Sequence, residues 1–544
     1  MKLVLKFKQV EQLFFGIAIL LCLIPIWFSG QFFITGDGPS HSYNASVLLD
    51  WLNGKHLDYY RQFYSLNNYF EPNYWTHAWL TLLQMVCTPE LAEKIFLSAY
   101  VLAFGFGIRF LFRQINPAGL FLSSVGMLFC WHHLLQMGFF NYAWSIAGFF
   151  WITGYWLYIR GVFNYRIGAA MAFGWIVLYS MHPVGLAFAA LAIGLSMIGE
   201  FIADFSLSGF KSAAEKLLSS SLFLAITAIP ALVLTGHYLM RKEWHQGANQ
   251  ESFRGILDAW ATLTMLITMN KEEHGIVNAV VMLVVVLVVS AVLIRIKTPK
   301  WQVHDFWLLF FLVALLIYFM QYGSRSLELL MPFRLQLFSW LAILIWSAGT
   351  IFSIKWRLIV ASAAIILLSV LLASRLPAHR AASELVEEWS SVKTHIDPQS
   401  VLMVMNYNFN GTDQQGNIIG DRIWLFNHAA DYIGASVPGV IMSDNYEASL
   451  RYFPLIWQNG VNLYTQTEKD GIGFENRPPR VDLLSYPKRT NGKQINYVLV
   501  LDQTEDDRQH PYGQEFMLQL NAGYTQIAAS PHERAVLYKL KEKQ

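Results

Sequence analysis

The sequence predicts an α-helical polytopic membrane protein with about eleven transmembrane helices and a C-terminal extracytoplasmic α/β domain. Of its 544 residues, 55% are hydrophobic and 14% are charged, whereas ordinary soluble domains carry about 25% charged residues. The apolar residues gather in runs close to the length of about 20 residues that a helix needs to cross a bilayer. A single soluble enzyme is therefore excluded.

Eleven apolar runs are long enough to predict membrane spans. The first follows the basic start MKLVLKFK and has no cleavage pattern behind it, so it indicates an uncleaved span and not a signal peptide. The segment 76–87 is apolar but short, which favours a juxtamembrane or re-entrant helix. The predicted spans lie at about 13–28, 91–112, 118–137, 140–159, 167–181, 184–199, 217–235, 276–294, 305–320, 335–354 and 357–374.

The basic residues predict which side of the membrane each loop occupies. Residues 1–374 hold 23 Lys and Arg, and 14 of them fall in short loops on the side of the N-terminus. Because short loops rich in Lys and Arg stay in the cytoplasm, the N-terminus is predicted to be cytoplasmic. An odd number of spans then places the C-terminal part outside, which in a bacterium is the outer face of the inner membrane.

The chain is predicted to divide into a transmembrane domain over 1–375, with a long first outer loop at 30–90, and an extracytoplasmic α/β domain over 376–544. Strand-like runs at 401–405, 497–501 and 535–540 predict its sheet. The part before Arg375 has a net charge of +6 (23 − 17) and the rest −4 (16 − 20), so neither indicates nucleic acid. All three cysteines precede the second domain, which excludes a disulfide framework or cysteine-bound zinc there.

Polar residues cluster at the predicted outer ends of several spans, whereas few charges fall in the middle of the spans. Proton-coupled transporters and pumps usually need ionisable residues at membrane depth, so this distribution weakens a transporter interpretation. The outer-face group consists of Asp37, His41, His132, His133, Asn141, His182, His237, Arg241, Arg325, Glu328 and Arg334.

Each of these residues also has a purely structural interpretation. Asp37 or Ser40 could cap the amphipathic stretch 41–53, with Pro39 near the first turn. Interfacial histidines often serve as amphipathic anchors, and Arg334 could extend along a span end to the lipid head groups. His182 lies in a very short connection between two spans, so it is predicted to be partly buried.

In its architecture the chain resembles the integral-membrane GT-C glycosyltransferases. The resemblance rests on the first span, on the acidic start of the long outer loop at Asp37 with His41 four residues later, and on a C-terminal outer domain with HAADYIGA at 428–435 and NYEASLRYFPL at 445–455. It implies that Asp37 contacts the acceptor and that a basic residue, for which Arg334 is the candidate, holds the phosphate of a polyprenyl-phosphate sugar donor.

The chain departs from that family in its second outer loop. Several GT-C families have a further acidic motif there, often tied to a divalent metal, but the stretch 132–143 contains no Asp or Glu. Since hard cations prefer carboxylate oxygens, the case for a divalent metal is weakened and no cofactor is assigned.

The predicted function is transfer of a sugar from a polyprenyl-phosphate donor to a glycan, lipid or protein acceptor of the cell envelope, in contact with membrane lipids and without nucleic acid. The catalytic candidates are Asp37 as general base, with His41 or His182 orienting the carboxylate or the acceptor. The substrate-binding candidates are Arg334, Arg241, Arg325, Asn141 and His133. Two alternatives stay open, a transporter or flippase of lipid-linked glycans and a non-catalytic envelope assembly protein.

Overall fold

The computed structural model describes residues 2–242, 251–297, 302–323 and 330–542, with backbone alone over 2–8. The chain divides into two compact units. The helical unit comprises Met1–Ile26 and Leu97–Arg375, and the sheet unit comprises Trp27–Phe96 and Leu376–Gln544. The two units are defined by how densely the chain packs, not by the side of the membrane on which each part lies. The predicted transmembrane domain and outer domain therefore stay predictions.

Most of the described residues are helical. The α-helices are α1 (Lys2–Phe28), α2 (Gly38–Leu52), α3 (Leu57–Tyr60), α4 (Tyr74–Gln84), α5 (Pro89–Ile115), α6 (Ser123–Gly126), α7 (His133–Gln136), α8 (Phe140–Ile159), α9 (Tyr165–Met181), α10 (Pro183–Ser208), α11 (Phe210–Arg241), α12 (Phe253–Ala261), α13 (His274–Ile296), α14 (Phe306–Phe319), α15 (Met331–Ala348), α16 (Ile354–Ser390), α17 (Asp431–Ser436), α18 (Leu463–Thr467), α19 (Tyr486–Arg489), α20 (Glu505–Gln509) and α21 (Pro511–Gly523). The strands are β1 (Tyr64–Leu66), β2 (Val401–Asn406), β3 (Ile441–Met442), β4 (Leu455–Trp457), β5 (Tyr497–Leu501), β6 (Tyr524–Ala529) and β7 (Ala535–Leu540).

Within the described residues, seven helical segments are long and apolar enough to cross a membrane. The predicted membrane character of the chain is thereby supported, while the span count of eleven stays a prediction. Three predicted spans, 140–159, 167–181 and 305–320, correspond to single helices, α8, α9 and α14, that are not among the seven. The seven are Gln9–Phe28, Pro89–Ile115, Pro183–Ser208, Phe210–Arg241, Lys271–Ile296, Met331–Ala348 and Ile354–His395.

One predicted span, 118–137, is not a continuous helix in the structure but a series of short helical turns. Pro117 opens a 3₁₀ turn, and α6 and α7 each last four residues. Gly119 lies so close to the backbone of Ala348 that a Cβ atom would clash with its carbonyl oxygen. The apolar run therefore fills a tight space against α15 instead of forming one continuous helix.

The sheet unit contains a five-stranded mixed sheet in the order β3-β2-β5-β7-β6. Strand β2 is parallel to both β3 and β5, whereas β7 is antiparallel to β5 and β6. Both β2 and β5 are buried along their whole length, as expected for central strands with a continuous apolar sequence. The three predicted strand runs are thus confirmed as β2, β5 and β7.

The first-loop segment packs against the C-terminal part within the sheet unit. Strand β1 pairs antiparallel with β4, with Tyr64 opposite Trp457. The Tyr43 hydroxyl on α2 donates to the Val440 carbonyl at 2.9 Å. These contacts place the start of α2 beside the segment that follows β2, where the candidate site is built.

Candidate functional site

Asp37 occupies the N-cap position of α2. The helix begins there because Pro39 suits its first turn, where no backbone N–H is needed, and the Asp37 carbonyl accepts from His41 N at 3.0 Å. The Asp37 side chain makes no capping hydrogen bond. The capping interpretation of this carboxylate is therefore not supported, and the side chain is available for another role.

His428 lies between two carboxylates. Its Nδ1 forms an ion pair with Asp444 Oδ1 at 3.0 Å, and its Nε2 lies 3.9 Å from Asp37 Oδ1. Burial alone would lower the pKa of His428, but the Asp444 and Asp37 carboxylates raise that pKa to about 9. The ring is therefore an imidazolium near neutral pH. The amide nitrogen of Asn427 is placed 2.8 Å from Nε2, and a flip of that amide would give the Nε2–H an oxygen acceptor.

Asp37 is the most exposed member of this group. Its side chain is 18% exposed, compared with 7% for His428 and 5% for Asp444. Burial raises the pKa of Asp37, and the nearby His428 and His41 together with a hydrogen bond from the Tyr446 hydroxyl partly offset that effect. An accessible carboxylate with a raised pKa is suited to accept a proton.

Asp431, at the start of α17, lies in the same cluster but is fully buried. Burial and the neighbouring Asp444 raise its pKa well above the ordinary value of an aspartate, while the His428 imidazolium and the Ser40 hydroxyl act in the opposite direction. Two carboxyls so close together cannot both ionise without cost. Burial and the Asp444 carboxylate therefore both oppose the ionisation of Asp431.

A second cluster joins His41, His77 and Glu447. His41 Nδ1 contacts Glu447 Oε1, and His77 Nε2 lies 2.6 Å from Glu447 Oε2. Burial would raise the pKa of Glu447, but the two imidazoles lower it to about 2. His41, which was predicted to be catalytic, thus pairs with Glu447, and its catalytic role stays a prediction.

Several predicted residues of the helical unit gather around Tyr142. The Tyr142 ring packs edge-on against His132 and His182, with ring centroids 5.8 and 5.6 Å apart. Its hydroxyl donates to the Arg334 carbonyl at 2.6 Å. The structure thus brings His182 and Arg334 to one aromatic residue, and their predicted roles stay predictions.

The remaining candidates are also in the helical unit or outside the described residues. His133 packs against Phe333, and Asn141 is buried near the start of α8. Arg241 ends α11 and donates from Nε to the His237 carbonyl at 3.3 Å. Arg325 lies outside the described residues.

A cavity of about 580 Å³ opens elsewhere in the sheet unit. Its wall combines Trp27 and Leu91 with the side chains of Lys94 and Lys393. No residue of the two carboxylate–histidine clusters lines it. The clusters therefore form a separate, more buried site.

The sequence did not predict five residues of the site: His77, His428, Asp431, Asp444 and Glu447. Four of them fall in or beside the motifs HAADYIGA and NYEASLRYFPL, which carried the resemblance but received no chemical role. A usable signal was the spacing of His428 and Asp431, since residues three apart share one face of a helical turn. Both clusters place their ligand atoms within 4.8 Å of one another, close enough to hold a metal ion.

Comparison with known proteins finds no protein-family model and no curated protein that matches the sequence. Among solved structures, the Archaeoglobus fulgidus oligosaccharyltransferase in complex with Zn and sulfate aligns with a TM-score of 0.44 and 11% identity, over 96% of this chain and 72% of that one. The archaeal oligosaccharyltransferase AglB from Archaeoglobus fulgidus, in complex with an inhibitory peptide and a dolichol-phosphate, aligns with a TM-score of 0.43 and 9% identity, over 99% and 74%.

Proposed function

We propose that this protein is a membrane glycosyltransferase that transfers a sugar from a polyprenyl-phosphate donor to an envelope acceptor at the outer face of a bacterial inner membrane. The observation that carries the proposal is the Asp37 carboxylate, which is accessible, makes no capping bond and lies 3.9 Å from the His428 imidazole. The apolar helices, which suit a lipid-borne substrate, and the resemblance to GT-C enzymes support the same assignment.

In this proposal Asp37 is the general base. It accepts the proton of the acceptor hydroxyl while that oxygen forms a bond to the anomeric carbon of the sugar. The bond between this carbon and the phosphate oxygen breaks, and the lipid phosphate leaves with the electron pair. Because phosphate is a weakly basic leaving group, one carboxylate suffices and the configuration inverts.

The leaving phosphate requires a cation, and we propose Arg334 for this role. Its side chain is half-buried near the start of α15, with the guanidinium 5.5 Å from the Phe139 ring centroid. A guanidinium offers a planar fork of donors that matches phosphate oxygens. The hydrogen bond from Tyr142 to the Arg334 carbonyl would hold the backbone at this point.

The proposal is tested with the purified full-length protein in detergent, radiolabelled polyprenyl-phosphate sugars and an extract of envelope acceptors. Asp37→Asn is expected to lower transfer on the order of 10²-fold or more, because general-base catalysis contributes that much. The matched control is Asp58→Asn, which changes a fully exposed carboxylate of the same first-loop segment and should leave transfer unchanged. Normal transfer by Asp37→Asn would refute the assignment of the base.

The same preparation distinguishes the rival functions. A flippase reconstituted in vesicles would move an intact lipid-linked glycan across the bilayer without cleaving the sugar–phosphate bond. A non-catalytic assembly protein would do neither. Failure of the wild-type protein to release free lipid phosphate from any donor in the presence of acceptor would contradict the transferase proposal.

A further inference from the structure

His41, His77 and Glu447 form a closed group of metal-ligating side chains within the sheet unit. The three side chains are at most 4% exposed, and their nearest ligand atoms all lie within 4.8 Å of one another. The two imidazole rings meet edge to face with centroids 5.3 Å apart, and Phe453 packs against both. The group is therefore preorganised and shielded from water.

The contact of His77 Nδ1 with the backbone indicates the tautomer of the ring, and with it whether Nε2, which faces Glu447, has a free lone pair. His77 Nδ1 lies 3.3 Å from the Asn73 carbonyl oxygen, which can only accept, so Nδ1 carries the hydrogen. In the neutral ring, Nε2 then presents a lone pair to Glu447 Oε2 at 2.6 Å. In this tautomer the nitrogen that can ligate a metal ion therefore faces the carboxylate of Glu447.

A histidine that donates its other ring N–H to a backbone carbonyl is the usual second-shell arrangement of a metal ligand. The surrounding charge also favours a cation, because the carboxylates of Asp37 and Asp444 lie in the neighbouring cluster. The one cation of that cluster, His428, is engaged by Asp444. Among the described residues, no lysine or arginine forms an ion pair with Glu447.

We propose that His41, His77 and Glu447 bind a divalent transition-metal ion, with Zn²⁺ as the expected occupant. Two imidazoles and one carboxylate are a donor set that zinc accepts in sites with three protein ligands and one open position. Hard cations such as Mg²⁺ prefer sites made of oxygen alone, so this set selects against them.

The ion would act as a positioning element for the start of α2. His41 N donates to the Asp37 carbonyl at 3.0 Å, so a ligand bond to His41 fixes the first turn of the helix that carries Asp37. The same ion would join α4, through His77, to the segment before β4, through Glu447. This inference goes beyond the proposed function and does not depend on it, because its test measures metal content.

The experiment uses the full-length protein in detergent, stripped with a chelator, incubated with Zn²⁺ and desalted. Inductively coupled plasma mass spectrometry is expected to find about one Zn²⁺ per wild-type chain. His77→Ala and Glu447→Gln should lose it. The matched control is His532→Ala, which removes a histidine that also pairs with a glutamate, Glu388 at 3.1 Å, but is exposed and has no third ligand; it should retain the Zn²⁺.

A gain-of-signal variant covers the case in which the loss-of-ligand variants fail to fold. His77→Cys places a thiolate at the site, so Co²⁺ loading should produce a thiolate-to-cobalt charge-transfer band that wild type lacks. Wild type without stoichiometric Zn²⁺ would overturn the proposal. The proposal would also be overturned if His77→Ala retained Zn²⁺ while Asp431→Asn lost it. The same holds if His77→Cys bound Co²⁺ without the new charge-transfer band.

Discussion

The imidazole of His428 lies 3.9 Å from the carboxylate of Asp37. One residue comes from the C-terminal part and the other from the start of α2, and both belong to the sheet unit. The contact gives the accessible carboxylate a cationic neighbour that is itself held by Asp444 at 3.0 Å. The charge on His428 therefore controls how readily Asp37 ionises, which makes the pair testable by pH.

Removing the charge of His428 should move the acid limb of the transfer reaction to higher pH. Asp37 acts as a base only when ionised, and its pKa is already raised by burial. The His428 imidazolium lowers that pKa, so His428→Gln should raise it further. The measurement is kcat/KM as a function of pH for both proteins. His532→Gln, a change at an exposed histidine, should leave the pH profile unchanged. An unchanged acid limb in His428→Gln would contradict the influence of His428 on the pKa of Asp37.

The stability of the protein should fall as the pH rises from about 6.5 to above 9, because of His428. A histidine whose folded pKa is raised to about 9 stabilises the fold fully below its unfolded pKa of about 6.5 and loses that contribution as the pH passes the folded value. The effect is on the order of a few kcal/mol. Thermal unfolding across this range should show a steeper decline for wild type than for His428→Gln. If the melting temperatures of the two proteins fell equally with pH, the stabilising charge on His428 would be contradicted.

The elements that were predictable from sequence are those whose signal is local. Strands β2, β5 and β7 were found because short β-rich runs stand between turn residues. The long apolar helices were found because a bilayer demands length. The turns over 117–137 were missed because hydropathy does not register the close approach of Gly119 to Ala348.

The site was only partly predictable because its members are distant in sequence. Asp37 was singled out because it opens the long first outer loop and matches the family position. Its partners lie in the C-terminal part and are brought to it by the pairing of β1 with β4 and by the packing of Tyr43 on Val440. Such long-range pairings leave no periodicity in the sequence. His428 and Glu447 belong to recognisable motifs, but the residues that they pair with become neighbours only in the folded chain.

The C-terminal part is expected outside the cytoplasm and the N-terminus inside. The reason is the asymmetry of the basic residues, 14 of 23 of which fall in short loops on the side of the N-terminus. A fusion after Leu540 to a reporter that is active only outside the cytoplasm should be active, and the same reporter fused after Arg113 should be silent. The reverse pattern would place the Asp37 site on the cytoplasmic side.

Arg334→Lys should lower transfer markedly and Arg334→Ala should abolish it. Lysine keeps the charge and the apolar stem, so a lipid-facing anchor would tolerate it, whereas a bidentate phosphate contact loses its planar fork. The measurement is turnover at increasing donor concentration, with Arg254→Lys as the control because that arginine is 91% exposed. Donor use like wild type by the lysine variant would direct the search for the phosphate ligand to Arg241 or Arg325.

The buried ion pair between Glu273 and Arg375 should be essential for the stability of the helical unit. Arg375 donates from Nε and Nη2 to Glu273 Oε2 at 3.1 and 2.7 Å, and the two side chains are 5% exposed or less. Glu273→Gln leaves a buried guanidinium without its counter-charge, so we expect a loss of about 3 kcal/mol or more. The control is Asp258→Asn, which breaks an exposed pair with Arg254 at 3.9 Å and should cost about 0.5 kcal/mol or less. Thermal unfolding of both variants in the same detergent provides the comparison. Equal melting temperatures would show that the buried pair contributes no more than a surface pair.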